Sequence, residues 1–132
     1  MIRIIDFETF GSKEEGFLTV AQQYKEVPFN IRRIFWVVDT PTQVSRGGHA
    51  HIDTEMILIA LRGSIKITTL DCSGEEQTFD LHQSNQGLYL PKMVWHEMTY
   101  SPDAVQLVLA SSDYHESDYI RNYSTFQSQI NK

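Results

Sequence analysis

The stretch "EMILIALRGSIKITTLDCSGEE" (residues 55–76) decides the fold class. In "EMILIALR" both alternating sets are apolar: Ile57, Ile59 and Leu61 on one side, Met56, Leu58 and Ala60 on the other. Successive side chains of a strand point to opposite faces, so this pattern describes a strand covered on both sides. "SIKITTLD" follows at once, with Ile65 and Ile67 alternating against Lys66 and Thr68, and Arg62-Gly63 supplies the turn between the two. "DCSGEE" marks a second tight turn, in which Gly74 can take positive φ. Strands joined by such turns, without helical patterning between them, form an antiparallel sandwich or barrel.

Working outward, further short segments rich in Ile, Val, Phe, Tyr and Thr read as strands: 2–7, 17–22, 32–39, 77–82, 87–91, 94–101 and 104–112. The period changes at the end of the chain. From Ser117, a plausible N-cap, Ile120, Tyr123, Phe126 and Ile130 fall on one helical face, which predicts one C-terminal helix packed on the sheet. The expected architecture is therefore all-β with a single terminal helix.

At 132 residues the chain has the length of one domain, expected to span 1–132, and no Pro, Gly/Ser or single-charge tract marks a linker. A net charge of −6 argues against nucleic acid as a partner, so any anionic ligand must be held by a local cluster of cations. No apolar run approaches the roughly 20 residues that span a bilayer, and no basic and apolar leader opens the chain. The expectation is a cytoplasmic protein without a membrane partner. Cys72, the single cysteine, lies in the "DCSGEE" turn with no cation beside it in sequence, and is expected to be a thiol without a special role.

The chemistry concentrates just ahead of the opening stretch, in "SRGGHAHIDTE" (45–55). On a strand, His49 and His51 share a face and Ala50 points away. Glu55 joins that face if the strand is continuous, and the Gly47-Gly48 pair can break the alternation and redirect Arg46. His96 follows in "GLYLPKMVWHEM" (87–98). Three readings stay open on these residues. His49, His51, Glu55 and His96 form a ligand set suited to Fe, Mn, Ni or Zn. Two imidazoles that titrate near neutrality are equally suited to acid/base work. They can also simply cap a polar barrel mouth.

H-x-H-x3-E followed by P-x4-H resembles the paired motifs of the cupins, and implies a cupin jelly-roll β-barrel. The match is incomplete: Met93 stands where a glycine is usual, and Tyr100 where an asparagine is usual.

A denser set of stretches is similar to the cupin-type sugar 3,4-ketoisomerases: "VPFNIRRIFWVVDT" (27–40), "RGGHAHIDTE" (46–55), "GLYLPKMVWHEM" (87–98) and "VLASSDYHESDYIRNYSTF" (108–126). That resemblance implies an enzyme without a metal or other cofactor, generally a homodimer, here through the N-terminal strands. It implies that the carbonyl of dTDP-4-keto-6-deoxyglucose moves from C4 to C3. An aminotransferase then uses the product for a 3-amino sugar of a surface polysaccharide or antibiotic glycoside. Carried over, the paired histidines fall on His49 and His51 as the catalytic residues, with His51 as the base at C3. Arg46 and His96 fall among the substrate contacts.

Arg33, Tyr89, Trp36 and Glu55 complete the expected substrate-binding set. Trp36 has a second reading as a buried aromatic, shared with Trp95; the ligand reading stacks it on thymine. Arg32 and Arg33 are adjacent, so at most one faces the barrel mouth, and a surface salt bridge suits the other. His82 and His115 lie outside the motifs and are expected to be exposed. Phe35 and Trp36 replace tyrosines that are usual in the family, which turns attention to Tyr89 or Tyr100 as a hydroxyl source, and Glu15 replaces an arginine. Three alternatives accompany this reading: a 3,5-epimerase of the same nucleotide sugar, a metal-dependent cupin enzyme, and a sugar-binding cupin without turnover.

Overall fold

The structure, a computed structural model, describes residues 1–130. Two five-stranded antiparallel sheets face each other as a cupin jelly roll. The first runs in the order β1 (Arg3–Asp6), β9 (Gln86–Leu90), β6 (Met56–Arg62), β11 (Val105–Ala110), β4 (Arg33–Val38). The second runs β12 (Tyr119–Ile120), β5 (Arg46–His51), β10 (Trp95–Tyr100), β7 (Ile65–Leu70), β8 (Glu76–Leu81). A hairpin of β2 (Glu8–Ser12) and β3 (Gly16–Val20) pairs only with itself. β2 was not anticipated, because "ETFGS" lacks the apolar alternation that marks a strand with a buried face; its residues are mostly exposed. Among the described residues no helix is long and apolar enough to cross a membrane.

The opening stretch folds as read. Met56, Leu58 and Ala60 face the core between the sheets, with Ile65, Ile67, Leu81, Leu88 and Val108. Ile57 and Ile59 face the other way, under a cover of Phe7, Val27, Phe29 and Tyr89. From Met56 to Ala60 β6 is thus buried on both faces, and each large apolar side chain so removed from water contributes about 1.5–3 kcal/mol. Leu61, read as covered, is instead 46% exposed at the strand's end. Cys72 is exposed in the turn that follows β7.

The terminal helix is shorter than the sequence suggests. A 3₁₀ turn (Glu116–Asp118) and β12 come first, and α1 occupies only Tyr123–Ile130. Ser117 is therefore not its N-cap; the Asn122 side-chain oxygen accepts the Thr125 amide at 3.0 Å. Ile120 pairs with Ala50 in β5 instead of sitting on the helix. The cause is tertiary: Asp118 is tied into the loop after β5, which draws Tyr119 and Ile120 into an extended path alongside it. Phe126 alone on α1 is fully buried, against Trp95 and Ala50.

Trp95 is buried, as its aromatic reading expects. Trp36 is not: it is 69% exposed, because Arg33, Phe35 and Val37 take the inward positions of β4 and Ile34, Trp36 and Val38 the outward ones. Nothing among the described residues covers that outward face, unlike the outer face of β6.

Candidate active site

Period-two geometry on β5 and β10 builds the site. His49 and His51 point into the barrel from β5, and His96, Met98 and Tyr100 from β10. His49 lies directly opposite His96 across the strand pair, with ring centroids 4.8 Å apart. His51 lies 5.0 Å from His49 and 6.2 Å from His96. The register of β5 against β10 shifts at Gly47, which has φ of +83°; a Cβ there would stand 2.7 Å from the His96 carbonyl oxygen. The bulge brings Arg46 round to the cavity, as the glycine pair suggested.

The cavity measures about 200 Å3. One wall is polar, with the three imidazoles, Arg46, Tyr119 and Arg121; Phe35, Val37, Met56, Leu58 and Val108 make the opposite wall apolar. At its floor the Tyr100 hydroxyl donates to the fully buried Gln106 amide oxygen at 2.6 Å. Burial pushes the Tyr100 phenol up to about 12, against the opposing charge of Arg46.

Burial is also the chief reason that all three imidazoles resist protonation. His49 falls to about 4, with the neighbouring His51 as the next cause, and fully buried His96 to about 3, with His49 as the next cause. His51 is lowered by burial too, but Asp118 pulls against the shift. All three rings are neutral at pH 7.

Asp118 organises His51. His51 Nδ1 lies 2.8 Å from Asp118 Oδ2, which also accepts the Thr54 hydroxyl at 2.5 Å, while Asp118 Oδ1 accepts the Asp53 amide at 2.6 Å. Burial opposes ionisation of Asp118, yet these donors together hold its carboxyl below the usual range. An ionised carboxylate accepts only, so His51 carries its proton on Nδ1 and leaves the Nε2 lone pair free. His96 Nδ1 points at the Val94 carbonyl at 3.2 Å, which fixes the same tautomer there.

The rim carries aromatic and cationic groups. Tyr119 packs 4.4 Å from His51 and 4.9 Å from His49, and the Arg121 guanidinium lies 4.2 Å over its ring. Arg121 donates to both oxygens of Glu116, at 2.7 and 3.0 Å. Arg33 sits over Phe35 and Tyr114, close enough for its charge to disfavour protonated His51, and its Nε is buried without a partner among the described residues. Arg32 forms a surface pair with Asp113.

Of the expected site residues, the structure brings together His49, His51, His96 and Arg46, with Arg33 nearby. It places Glu55, Tyr89 and Trp36 elsewhere. The strand is broken after His51, so the parity that put Glu55 beside the histidines is lost. Glu55 lies on the outer side, where it accepts the Tyr89 hydroxyl at 2.5 Å, and burial with this contact raises the Tyr89 phenol to about 12. Glu55 therefore neither orients His51 nor completes a metal set with the imidazoles; Asp118 is the carboxylate partner.

Asp118, Tyr119, Arg121 and Thr54 were missed. The first three lie in "SDYIRNY", whose acidic and aromatic residues signal a site only once the segment is read as extended rather than helical. His82 and His115 are exposed, as expected.

Comparison with known proteins supplies the family. The family model FdtA, described as WxcM-like, C-terminal, matches residues 1–131. The chain is 38% identical over 131 residues to the TDP-4-oxo-6-deoxy-alpha-D-glucose-3,4-oxoisomerase of Aneurinibacillus thermoaerophilus, covering 98% of this chain and 93% of that one. A 3,4-ketoisomerase structure from Helicobacter canadensis superposes with a TM-score of 0.92 at 35% identity, covering 99% and 98% of the two chains. A histidine-to-asparagine mutant of the 3,4-ketoisomerase QdtA from Thermoanaerobacterium thermosaccharolyticum, in complex with TDP-4-keto-6-deoxyglucose, gives 0.93 at 33% identity, covering 98% and 94%. With its paired histidines set in a barrel of that shape, the chain belongs to the FdtA (WxcM-like, C-terminal) family.

Proposed function

We propose that the protein is a sugar 3,4-ketoisomerase that converts TDP-4-keto-6-deoxyglucose to a TDP-3-keto-6-deoxyhexose. The observation that carries the reading is the His51 and Asp118 pair, which presents a neutral imidazole Nε2 at a cavity with room for one sugar ring. Kinship supports it, since the relatives named above carry that activity in their names.

The C4 ketone acidifies the proton on C3. His51 Nε2 takes that proton, and the electron pair forms the C3=C4 bond of an enediolate with the negative charge on O4. A proton then adds at C4 while O3 loses its own, which leaves the carbonyl at C3 and no net change in composition. His49, 5.0 Å from His51, is placed to assist the oxygen or C4 proton transfer. Arg46 and Arg121 offer fixed positive charge to the developing oxyanion or to the diphosphate. The apolar wall suits a C6 methyl, where a C6 hydroxyl would lose its hydrogen bonds to water.

The ketone itself supplies the electron sink, so the reaction as written calls on no metal or other cofactor. Glu55 is remote from the imidazoles, which speaks against the four-ligand metal reading. The 3,5-epimerase alternative gains the His and carboxylate pair but has less support from kinship.

A second copy of the chain is the proposed macromolecular partner. The β2–β3 hairpin exposes Phe10, Phe17 and Leu18, and β4 exposes Ile34, Trp36 and Val38, an apolar surface suited to a homodimer. A cytoplasmic location fits a nucleotide-sugar substrate. The test is incubation of the protein with TDP-4-keto-6-deoxyglucose: a new 3-keto sugar in the NMR spectrum supports the reading, and substrate recovered unchanged overturns it.

A further inference from the structure

We propose that Thr54 and Ser112 are positioning residues that lock the tautomer of His51 through Asp118. The proposal rests on the ketoisomerase reading, because it concerns the same base.

Three separate segments build the hydrogen-bond chain that ends on the Asp118 carboxylate, Ser112 reaching it only through Thr54. The loop after β5 brings the Asp53 amide and the Thr54 hydroxyl, the segment after β11 brings Ser112, and the 3₁₀ turn brings Asp118 itself. Thr54 is only 1% exposed, so its hydroxyl has protein partners alone: Asp118 Oδ2 at 2.5 Å and Ser112 Oγ in close contact. Chemistry fixes the direction of the chain. Ionised Asp118 cannot donate, so Thr54 spends its one proton on Asp118. Ser112 must then donate to Thr54. Every proton in the chain points toward Asp118, which leaves the carboxylate one task at His51, that of accepting Nδ1–H.

The consequence reaches the sugar. With Nδ1 protonated, His51 is a base at Nε2; in the other tautomer Nε2 carries a hydrogen and cannot accept the C3 proton. Without Thr54, one oxygen of Asp118 loses its second donor, and the carboxylate is free to turn from the plane that holds the ring. Asp118 keeps its charge throughout and does not itself take the C3 proton, in the manner of other His and Asp pairs. The other groups that face His51 are His49, His96, Tyr119 and the cations Arg33 and Arg121, none of which can accept Nδ1–H as a carboxylate does. A separate cavity of about 150 Å3 lies behind the chain, lined by Ser112, Asp53, His115, Ser117 and Asp118 itself.

The experiment compares Thr54→Val, Thr54→Ser and Ser112→Ala with the unaltered enzyme. Steady-state kinetics, TDP affinity by titration calorimetry and the 15N spectrum of the His51 ring are measured on each. Thr54→Val is expected to lower kcat about tenfold, with KM and TDP affinity within about twofold, and to shift the His51 signals away from the Nδ1–H form. Thr54→Ser, which keeps the donor, is expected to hold kcat within about threefold, and Ser112→Ala to fall between. Wild-type kcat in Thr54→Val overturns the proposal, as does a loss that Thr54→Ser fails to recover or that leaves the His51 tautomer unchanged. If the unaltered protein does not turn over the sugar, the ketoisomerase reading fails, and the 15N comparison still decides whether Thr54 governs the tautomer.

Discussion

His51 and Asp118, 67 positions apart in sequence, meet through a 2.8 Å contact between Nδ1 and Oδ2 where the 3₁₀ turn packs on the end of β5. The pair turns a buried ring into an oriented base, and it predicts the effect of removing the charge. Asp118→Asn can donate to Nδ1 and so stabilises the wrong tautomer. Turnover should fall by about a hundredfold or more while TDP affinity stays within about threefold, measured by steady-state kinetics and calorimetry. Unchanged kcat would separate Asp118 from the chemistry.

The neutral imidazoles set the response to acid. A free histidine titrates near 6.5, but His49 does so at about 4 and His96 at about 3 in the folded protein. Between those limits the unfolded chain binds more protons than the folded one. Stability contributed by keeping the rings neutral is therefore complete above pH 6.5 and is lost progressively as pH falls toward 4 and then 3. Urea midpoints measured from pH 7.5 to 4 should decline. The slope should flatten in His96→Gln at a common reference stability.

Activity should follow a different curve. Turnover needs neutral His51, whose protonation is shifted below its ordinary value, so the acid limb of kcat/KM is expected below pH 6.5. Asp118 raises His51 within that shift, and Asp118→Asn should move the limb to still lower pH while lowering the plateau.

Glu55 and Tyr89 offer a test of the metal alternative. Both lie on the outer side of the barrel, bonded to each other. Glu55→Gln and Tyr89→Phe should keep kcat within about twofold and cost about 1 kcal/mol of stability through the altered hydrogen bond. Dialysis against EDTA should leave the rate unchanged. A rate lost with the chelator and restored by a transition metal would reinstate a metal centre.

The exposed apolar faces predict assembly. Leu18→Glu with Trp36→Glu should convert a dimer, measured by light scattering after gel filtration, into a monomer. A wild-type monomer at micromolar concentration would contradict the homodimer.

The contrast between Trp36 and Phe35 shows what the sequence could and could not say. Strand membership of "RIFWVV" was legible, because β-branched and aromatic residues cluster there, but which parity faced the barrel was not, since both sets are apolar. β6 suffered no such ambiguity, as both its faces are buried from Met56 to Ala60. His49, His51 and His96 were legible because β-strand parity and motif spacing are local. Asp118 was not: its partner is set by how the chain returns after β11, and the helical period of residues 117–130 concealed an extended segment. Met93 illustrates the same limit at smaller scale. It adopts φ of +58°, the left-handed conformation for which glycine is favoured, while its amide bonds the His51 carbonyl at 2.7 Å. A cupin position that lacks its usual glycine keeps the glycine's geometry.

The central claim is proton transfer between C3 and C4 by His51. Its most direct test is incubation with TDP-4-keto-6-deoxyglucose in deuterated water, with NMR of the sugar. The account predicts a 3-keto product carrying solvent deuterium at C4, absent when His51→Asn replaces the enzyme although TDP still binds. Deuterium appearing at C5 without movement of the carbonyl, or full turnover by His51→Asn, would contradict it.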